Sequence, residues 1–368
     1  MFNGMPRNGY IEDPRSPEYD RLSEQYADLW SGNHPDSEHY LNIRKAYMEW
    51  CLTLRDDGIR PNQGSAVLLG PGFSVAQNRE LEPGWVHVHL AEHPRLIVAD
   101  FSRVVLDDAF RSLAAASRRM KPENMRLIRR DFSGGLSARF EALIGSRLDG
   151  ISNVEQFQDF MKWLEDEVRV EEVARQSVTS GCTREGNPDV MGMDPEQLLC
   201  FKNIVQNAAD VRMLITNGGF SGAFYTTEDA FREKLMLFAE QDPQRVTRDH
   251  VRMYMRIWHD LITDMVDEVT VNALQSFAQA HPEGHIFCTL DKSASYDGLD
   301  DYPRLNLDRI RARLAEFLSI HVAHTWTLDD SAQTPPHRHN VAALWASPVS
   351  YDDDEEDAAP PEGQETIQ

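Results

Sequence analysis

Three short apolar runs each end in residues that could contact a ligand. These are residues 66–69 before Gly70-Pro71-Gly72, residues 96–99 before Asp100, and residues 125–128 shortly before Asp131. A glycine-rich turn lets the backbone approach a ligand and frees N–H donors. A carboxylate at the end of a strand can accept hydrogen bonds from a ribose diol. The pattern therefore predicts a ligand site where the three runs end.

The elements that must position these residues follow a strand–helix rhythm. Alternating short apolar runs and amphipathic helices are typical of a parallel sheet covered by helices, an α/β fold. Later runs at residues 211–216, 285–290, 320–328 and 340–346 complete a predicted seven-stranded sheet, in which we expect the last two strands to form an antiparallel hairpin. Ligands of such sheets bind outside the carboxyl ends of the strands, where the strand order reverses.

The composition changes several times along the chain, and this predicts its organisation. We expect a disordered N-terminus at 1–16, N-terminal helices at 17–63, a Rossmann-like domain at 64–148 and 211–348, a helical insertion at 149–210, and a disordered acidic tail at 349–368. The insertion would form a lid or a substrate wall. The N-terminal helices would pack against the ligand cleft, with Tyr26 and Trp30 either in the helix core or over the ligand.

The order of these elements resembles the class I S-adenosylmethionine-dependent methyltransferases, a family with a seven-stranded sheet whose last strand is antiparallel. The resemblance covers roughly residues 64–348 without the insertion. It is carried by the glycine-rich segment 67–72, by Asp100 and Asp131 at the ends of their runs, by the turn and strand at 281–287, and by the closing hairpin.

The resemblance implies S-adenosylmethionine as the cofactor. Asp100 would hold the ribose hydroxyls, Asp131 would face the adenine edge with Phe132 near the ring, and residues 216–220 would lie beside the transferred methyl group. The cofactor-binding residues are then expected to be Leu69, Gly70, Pro71, Gly72, Asp100, Phe101, Asp131, Phe132 and Asn217. The acid that the family usually carries near the first glycine is replaced by Leu68 and Leu69, so a partner for the methionine amine must come from elsewhere.

The methyl acceptor is constrained mainly by charge. The formal net charge is −23, and six consecutive acids occupy residues 352–357. Nucleic-acid binding draws on basic surfaces, so a small molecule or a protein is the expected acceptor. Many such enzymes add a general base, and the candidates near the predicted cleft are His250, His259, Tyr225 and Glu228. The sequence leaves the oligomeric state open.

Composition also bears on where the chain works. No apolar run approaches the length of a membrane span, and residues 1–17 have no apolar core of a secretory signal. The four cysteines, which are Cys51, Cys182, Cys200 and Cys288, have no paired spacing and are interpreted as reduced thiols. We therefore expect a cytoplasmic protein without a membrane partner.

Three alternatives stay open at this point. An NAD(P)-dependent oxidoreductase could use the same sheet and the same acid, although the third glycine of Gly-x-Gly-x-x-Gly is missing. A methyltransferase-like scaffold that binds without catalysing would fit the missing acid and the insertion. A metal site could use His87, His89 and His93, or the second group at His321, His324, His337 and His339, but surface or half-buried histidines explain both groups, and no metal is expected.

Overall fold

The computed structural model of the chain describes residues 37–60, 63–69, 93–100, 106, 125–129, 141–168, 210–217, 225–296, 302–330 and 337–349. Several predictions lie outside these residues: those for 1–36 with Tyr26 and Trp30, Gly70, Pro71 and Gly72, His87 and His89, Phe101, the helix at 107–120, Asp131 and Phe132, Cys182 and Cys200, and the acidic tail.

The described residues form six α-helices and eight strands. The helices are α1 (Ser37–Asp56), α2 (Ser146–Asp149, directly after a π-helical turn at Glu141–Gly145), α3 (Val154–Glu167), α4 (Tyr225–Gln241), α5 (Arg248–Ala280) and α6 (Leu307–Leu314). The strands are β1 (Ser65–Leu69), β2 (Leu96–Asp100), β3 (Met125–Arg129), β4 (Val211–Asn217), β5 (His285–Tyr296), β6 (Tyr302–Pro303), β7 (Leu318–Asp330) and β8 (His337–Pro348).

The strands form one sheet in the order β3-β2-β1-β4-β5-β8-β7, and the two-residue β6 pairs with β5 beside this path. All neighbours from β3 to β5 are parallel, whereas β8 runs antiparallel to both β5 and β7. The mixed, mostly parallel sheet with an antiparallel last strand is therefore confirmed. The order reverses at β1, because β2 and β3 continue to one side of it while β4 and β5 continue to the other.

Side chains on both faces of β1, β2 and β4 are buried, which explains why these strands are apolar runs rather than alternating ones. On one face α1 packs through Tyr47 and Trp50 against Phe287 of β5, with ring centroids 5.3 and 5.5 Å apart. On the other face α3, α4 and α5 share one hydrophobic core with residues such as Leu69. The described part of the N-terminal helices thus covers a sheet face.

Several boundaries differ from the sequence predictions. Strands predicted at 285–290, 320–328 and 340–346 are longer, at 285–296, 318–330 and 337–348. Their polar ends carry no apolar signal, and cross-strand pairing holds them instead. The helix predicted at 307–318 ends at Leu314, and β7 begins at Leu318. Of the helix predicted at 137–144, only residues 141–144 are described, and they belong to a π-helical turn at Glu141–Gly145 that leads into α2.

The described part of the insertion packs against α4. Phe157 of α3 is fully buried and lies 5.9 Å from Phe231 and 5.4 Å from Phe238, between ring centroids. Lys234 of α4 donates hydrogen bonds to the carbonyls of Asp149 and Ile151 at 3.3 and 2.8 Å. The helix predicted at 154–173 ends earlier, at Glu167, because Val168 is extended. Within the described chain, no helix is long and apolar enough to span a membrane.

Candidate functional site

The carboxyl ends of β1, β2 and β4 lie level with one another. Leu69 is in register with Ala99 of β2 and Thr216 of β4, so Asp100 and Asn217 each lie one residue further along. The three residues expected to contact the cofactor from these strands therefore share one edge. This edge contains the point where the strand order reverses, which is where open α/β sheets bind ligands.

Thr216 is the buried polar residue closest to that reversal point. It is 0% exposed, and its hydroxyl has no hydrogen-bond partner among the described residues. Its neighbours in register are Leu69 and Cys288, both buried. A buried hydroxyl normally finds a partner, because leaving it unpaired costs the lost hydration. The unpaired hydroxyl therefore distinguishes Thr216 from its two neighbours in register.

An arm of three long strands extends beyond the edge. The last register pair of β4 and β5 is Asn217 with Thr289, so residues 290–296 of β5 project past the end of β4. Polar side chains bridge the arm: Thr327 donates to the Asn340 side-chain oxygen at 2.9 Å, and the Asn340 amide donates to the Ser293 hydroxyl at 2.8 Å. These contacts account for strand structure where the sequence is polar.

A buried ion pair lies on the helical side of the arm. Glu228, in the first turn of α4, accepts a hydrogen bond from the guanidinium of Arg304, which follows β6. Their side chains are 3% and 1% exposed. An ion pair this deeply buried loses most of its hydration, so its net contribution to the stability of the fold is small. Buried ionisable groups also cluster at functional sites, and this pair is therefore a candidate for a functional role.

His259 of α5 lies next to this pair. It is fully buried, and its imidazole stacks on the Tyr302 ring with centroids 4.7 Å apart and planes 12° apart. Burial lowers the pKa of His259 to about 4, although Glu228 opposes the shift. The imidazole is consequently neutral near pH 7 and retains the capacity to accept a proton.

A stripe of buried polar residues continues along the same face of α5. Thr263 donates to the Pro303 carbonyl at 2.6 Å, and Asp267 accepts from the Asn306 N–H at 2.9 Å. Together with the stacking of His259 on Tyr302, these contacts fix the segment 302–306 to α5. The spacing of four residues places the three side chains on one helix face.

The four candidate bases are placed very differently. Glu228 and His259 come together around Arg304, as described above. His250 forms a capping box with Thr247 at the start of α5, where its backbone N–H donates to the Thr247 hydroxyl at 3.3 Å and its Nδ1 accepts from the Thr247 N–H at 3.3 Å. Tyr225 is the first residue of α4. His250 therefore has a structural role as part of a helix cap. Of the four candidates, only Glu228 and His259 lie close to each other.

Four described histidines of the two proposed metal groups have local partners. The Nδ1–H of His93 donates to the Gly64 carbonyl at 2.8 Å, which ties the start of β2 to the start of β1. His324 pairs with Glu49, His321 packs against Trp345 with the ring planes tilted by 48°, and His339 lies 3.8 Å from the carboxylate of Asp291. The described ranges contain no group of three or more His, Cys, Asp or Glu side chains able to hold a metal ion.

Two residues that surround His259 and Glu228 could not be identified from the sequence. Tyr302 and Arg304 lie in a short segment between a strand and a helix, without periodicity or a motif. Their roles follow only from the pairing of Tyr302 with Ala294 of β5, which brings the segment over α5. The sequence pointed only to Glu228 and His259, because their side chains can act as general bases.

Fold and edge together define the chain as an α/β domain with a Rossmann-like sheet. No protein-family model matches the sequence, and no curated protein matches it. Among solved structures, a precorrin 8W decarboxylase of Methanobacterium thermoautotrophicum aligns over 81% of this chain and 88% of that chain, with 10% identity and a TM-score of 0.28. At this TM-score the alignment supports no functional conclusion, so the function has to be argued from the residues themselves.

Proposed function

We propose that the chain binds S-adenosylmethionine at the carboxyl edge of β1, β2 and β4 and transfers its methyl group to a small molecule or a protein. The observation that supports this most directly is that Asp100 and Asn217 each lie one residue beyond the register position of Leu69, on either side of the reversal point of the sheet. The antiparallel last strand, which the resemblance to class I methyltransferases implies, is consistent with the proposal.

The residues at this edge fit an adenosyl ligand. Asp100 supplies a carboxylate at the end of β2, where a ribose diol would donate to it. Leu69 at the end of β1 and Thr216 of β4 are both buried, so they support this edge from the core.

When bound, the cofactor would supply an activated methyl group on a sulfonium centre. The chain would then have to align the acceptor and exclude water. The wall formed by α3 and α4 would limit the access of solvent from the helical side.

Calorimetric titration of the purified chain tests the proposal. We expect S-adenosylmethionine and S-adenosylhomocysteine to bind with micromolar affinity and NAD not to bind. Asp100→Asn should weaken adenosyl binding about tenfold, because the amide is uncharged and leaves only one oxygen to accept from the ribose diol. The matched control is Asp210→Asn, a carboxylate directly before β4 at the opposite edge of the same sheet.

The other outcomes separate the alternatives. NAD binding in place of adenosyl binding would move the assignment to an oxidoreductase that uses the same edge. If none of the three ligands binds to folded protein, the cofactor assignment is wrong and a binding scaffold becomes the better explanation. Equal losses of affinity in both aspartate variants would show that the carboxyl edge of the sheet has no specific role in binding.

A further inference from the structure

An imidazole and a carboxylate face each other on the arm. The Nδ1 atom of His339 in β8 lies 3.8 Å from the carboxylate of Asp291 in β5. Both side chains are 13% exposed, so an acceptor can reach this histidine, whereas His259 is fully buried. Hydrogen bonds between catalytic groups are often long in ligand-free proteins and shorten when the substrate binds. With Nδ1 on the side of the carboxylate, Nε2 is the ring nitrogen that acts as the base in such pairs.

Strand register places this pair on the sheet face that α1 covers. Alternate residues of a strand share a face, and Asp291 lies four residues beyond Phe287, which packs against Trp50 of α1. Val341 is the register partner of Asp291, and His339 lies two residues before Val341 on the same strand. Both side chains of the pair therefore project from one face of the arm.

The pair lies at the distance from the proposed cofactor that an acceptor would occupy. Thr289 is level with Asn217 at the end of β4, so Asp291 lies two residues, or about 7 Å, beyond the edge. In the strand order β8 is two strands away from β4, which adds about 10 Å sideways. These offsets leave room for one acceptor group between His339 and a methyl group held at the end of β4.

We propose that His339 is the general base of the methyl transfer and that Asp291 orients it. The inference rests on the proposed function, because it concerns the same reaction. It narrows the acceptor to a group whose attacking oxygen or nitrogen carries a proton, which means a hydroxyl or an amine. That atom bonds to the methyl carbon as the carbon–sulfur bond breaks towards sulfur, and its proton passes to Nε2 of His339. The sulfonium leaves as a neutral thioether, and the carboxylate of Asp291 stabilises the imidazolium that forms.

The charge of the cofactor provides a test that needs no acceptor. S-adenosylmethionine carries a sulfonium cation, whereas S-adenosylhomocysteine has a neutral thioether at the same position. Protonated His339 repels only the cation, so the affinity for S-adenosylmethionine relative to S-adenosylhomocysteine should fall about twofold to fivefold from pH 8 to pH 5.5, as measured by calorimetric titration. His259 of α5 also interacts with His339, but with a pKa of about 4 it stays neutral over this range.

Two variants and one control assign this pH dependence to the pair. His339→Gln should remove it, since the titrating imidazole is gone. Asp291→Asn should move its midpoint about one pH unit lower, because the imidazolium loses the carboxylate beside it. The matched control is His281→Gln, which removes a histidine between α5 and β5 at the opposite edge of the sheet and should keep the wild-type pH dependence.

Other results overturn the inference in distinguishable ways. An affinity ratio that is constant with pH in the wild-type chain, or that changes equally in His339→Gln, would place His339 away from the methyl group. An unchanged midpoint in Asp291→Asn would show that this carboxylate does not orient the imidazole. Equal losses of affinity for both ligands in His339→Gln, with a lower melting temperature, would make the histidine structural. Failure of both adenosyl ligands to bind the wild-type chain would overturn the proposed function itself.

Discussion

His259 combines a titratable side chain with complete burial, and this gives it a measurable effect on stability. Its pKa is lowered to about 4 in the folded chain, chiefly by burial, from 6.5. Between these values the unfolded chain binds a proton that the folded chain does not, so stability falls as the pH drops from about 6.5 towards 4.

His259→Gln should therefore flatten the acid side of the stability curve. We expect the wild-type chain to lose more free energy of unfolding than the variant between pH 7 and pH 5, measured by urea denaturation. The control is His321→Gln, which removes an exposed histidine of β7. Parallel curves for wild type and His259→Gln would show that this imidazole is not neutral in the folded chain.

Asp267, two helical turns further along α5, has the opposite effect. Burial raises the pKa of Asp267 to about 6 from 3.8, although the Asn306 N–H and Arg309 oppose the shift. Here the folded chain binds the extra proton, so the contribution of this group to stability is present below about pH 4 and is lost as the pH rises through 6.

Asp267→Asn should consequently gain stability relative to wild type as the pH rises. The amide oxygen can still accept from the Asn306 N–H, so the local geometry of the contact is kept. Melting temperatures measured at pH 4.5 and pH 8 test this, because the difference between variant and wild type should be more positive at pH 8. Asp264→Asn is the control, a half-exposed carboxylate on the same helix that also pairs with Arg309. A difference that does not change with pH would contradict a raised pKa.

At the scale of elements, one ion pair joins the start of α4 to the segment between β6 and α6. Glu228 and Arg304 are both buried and bonded to each other. Removing one partner strands the other charge in the interior, whereas removing both avoids that penalty.

Glu228→Gln alone should therefore cost about 3–5 kcal/mol of unfolding free energy. The double variant Glu228→Leu with Arg304→Met should recover much of this loss, as measured by urea denaturation at pH 7.5. An exposed pair, Arg212 with Glu283, serves as the control, and the single variant Glu283→Gln should change stability by less than about 1 kcal/mol. A double variant that is as unstable as the single one would show that packing, rather than charge, holds these elements together.

The elements differ in how much of them the sequence could predict. β1, β2 and β4 are short apolar runs buried on both faces, so their carboxyl ends could be placed to within a residue. The outer halves of β5 and β8 are polar and are held together by hydrogen bonds such as the one between Asn340 and Ser293. The periodicity of apolar residues carries no information about such contacts, so these halves could not be predicted. Arg304 was missed for a similar reason, because its buried ion pair is with Glu228, 76 residues earlier in the chain.

At the scale of the whole molecule, topology separates two regions that could each bind a ligand. The reversal point between β1 and β4 lies in the middle of the strand order, whereas the β7–β8 hairpin lies at one end of it. The rhythm of apolar runs predicted the parallel sheet and the closing hairpin, but it did not give the order of the strands. The sequence does not decide which of the two regions binds the ligand, so this has to be measured on the folded protein.

Hydrogen exchange with and without S-adenosylhomocysteine addresses that question for the whole chain. If the ligand occupies the reversal point, slower exchange should appear at the carboxyl ends of β1, β2 and β4, around Leu69, Asp100 and Asn217. The hairpin of β7 and β8 should exchange at an unchanged rate, because binding stabilises most strongly the elements that it contacts. Asp100→Asn at the same ligand concentration is the control and should lose the protection. Protection centred on the hairpin would move the site to the arm, where Asp291, Ser293 and Asn340 provide the polar groups, and would separate ligand binding from the edge that the strand order defines.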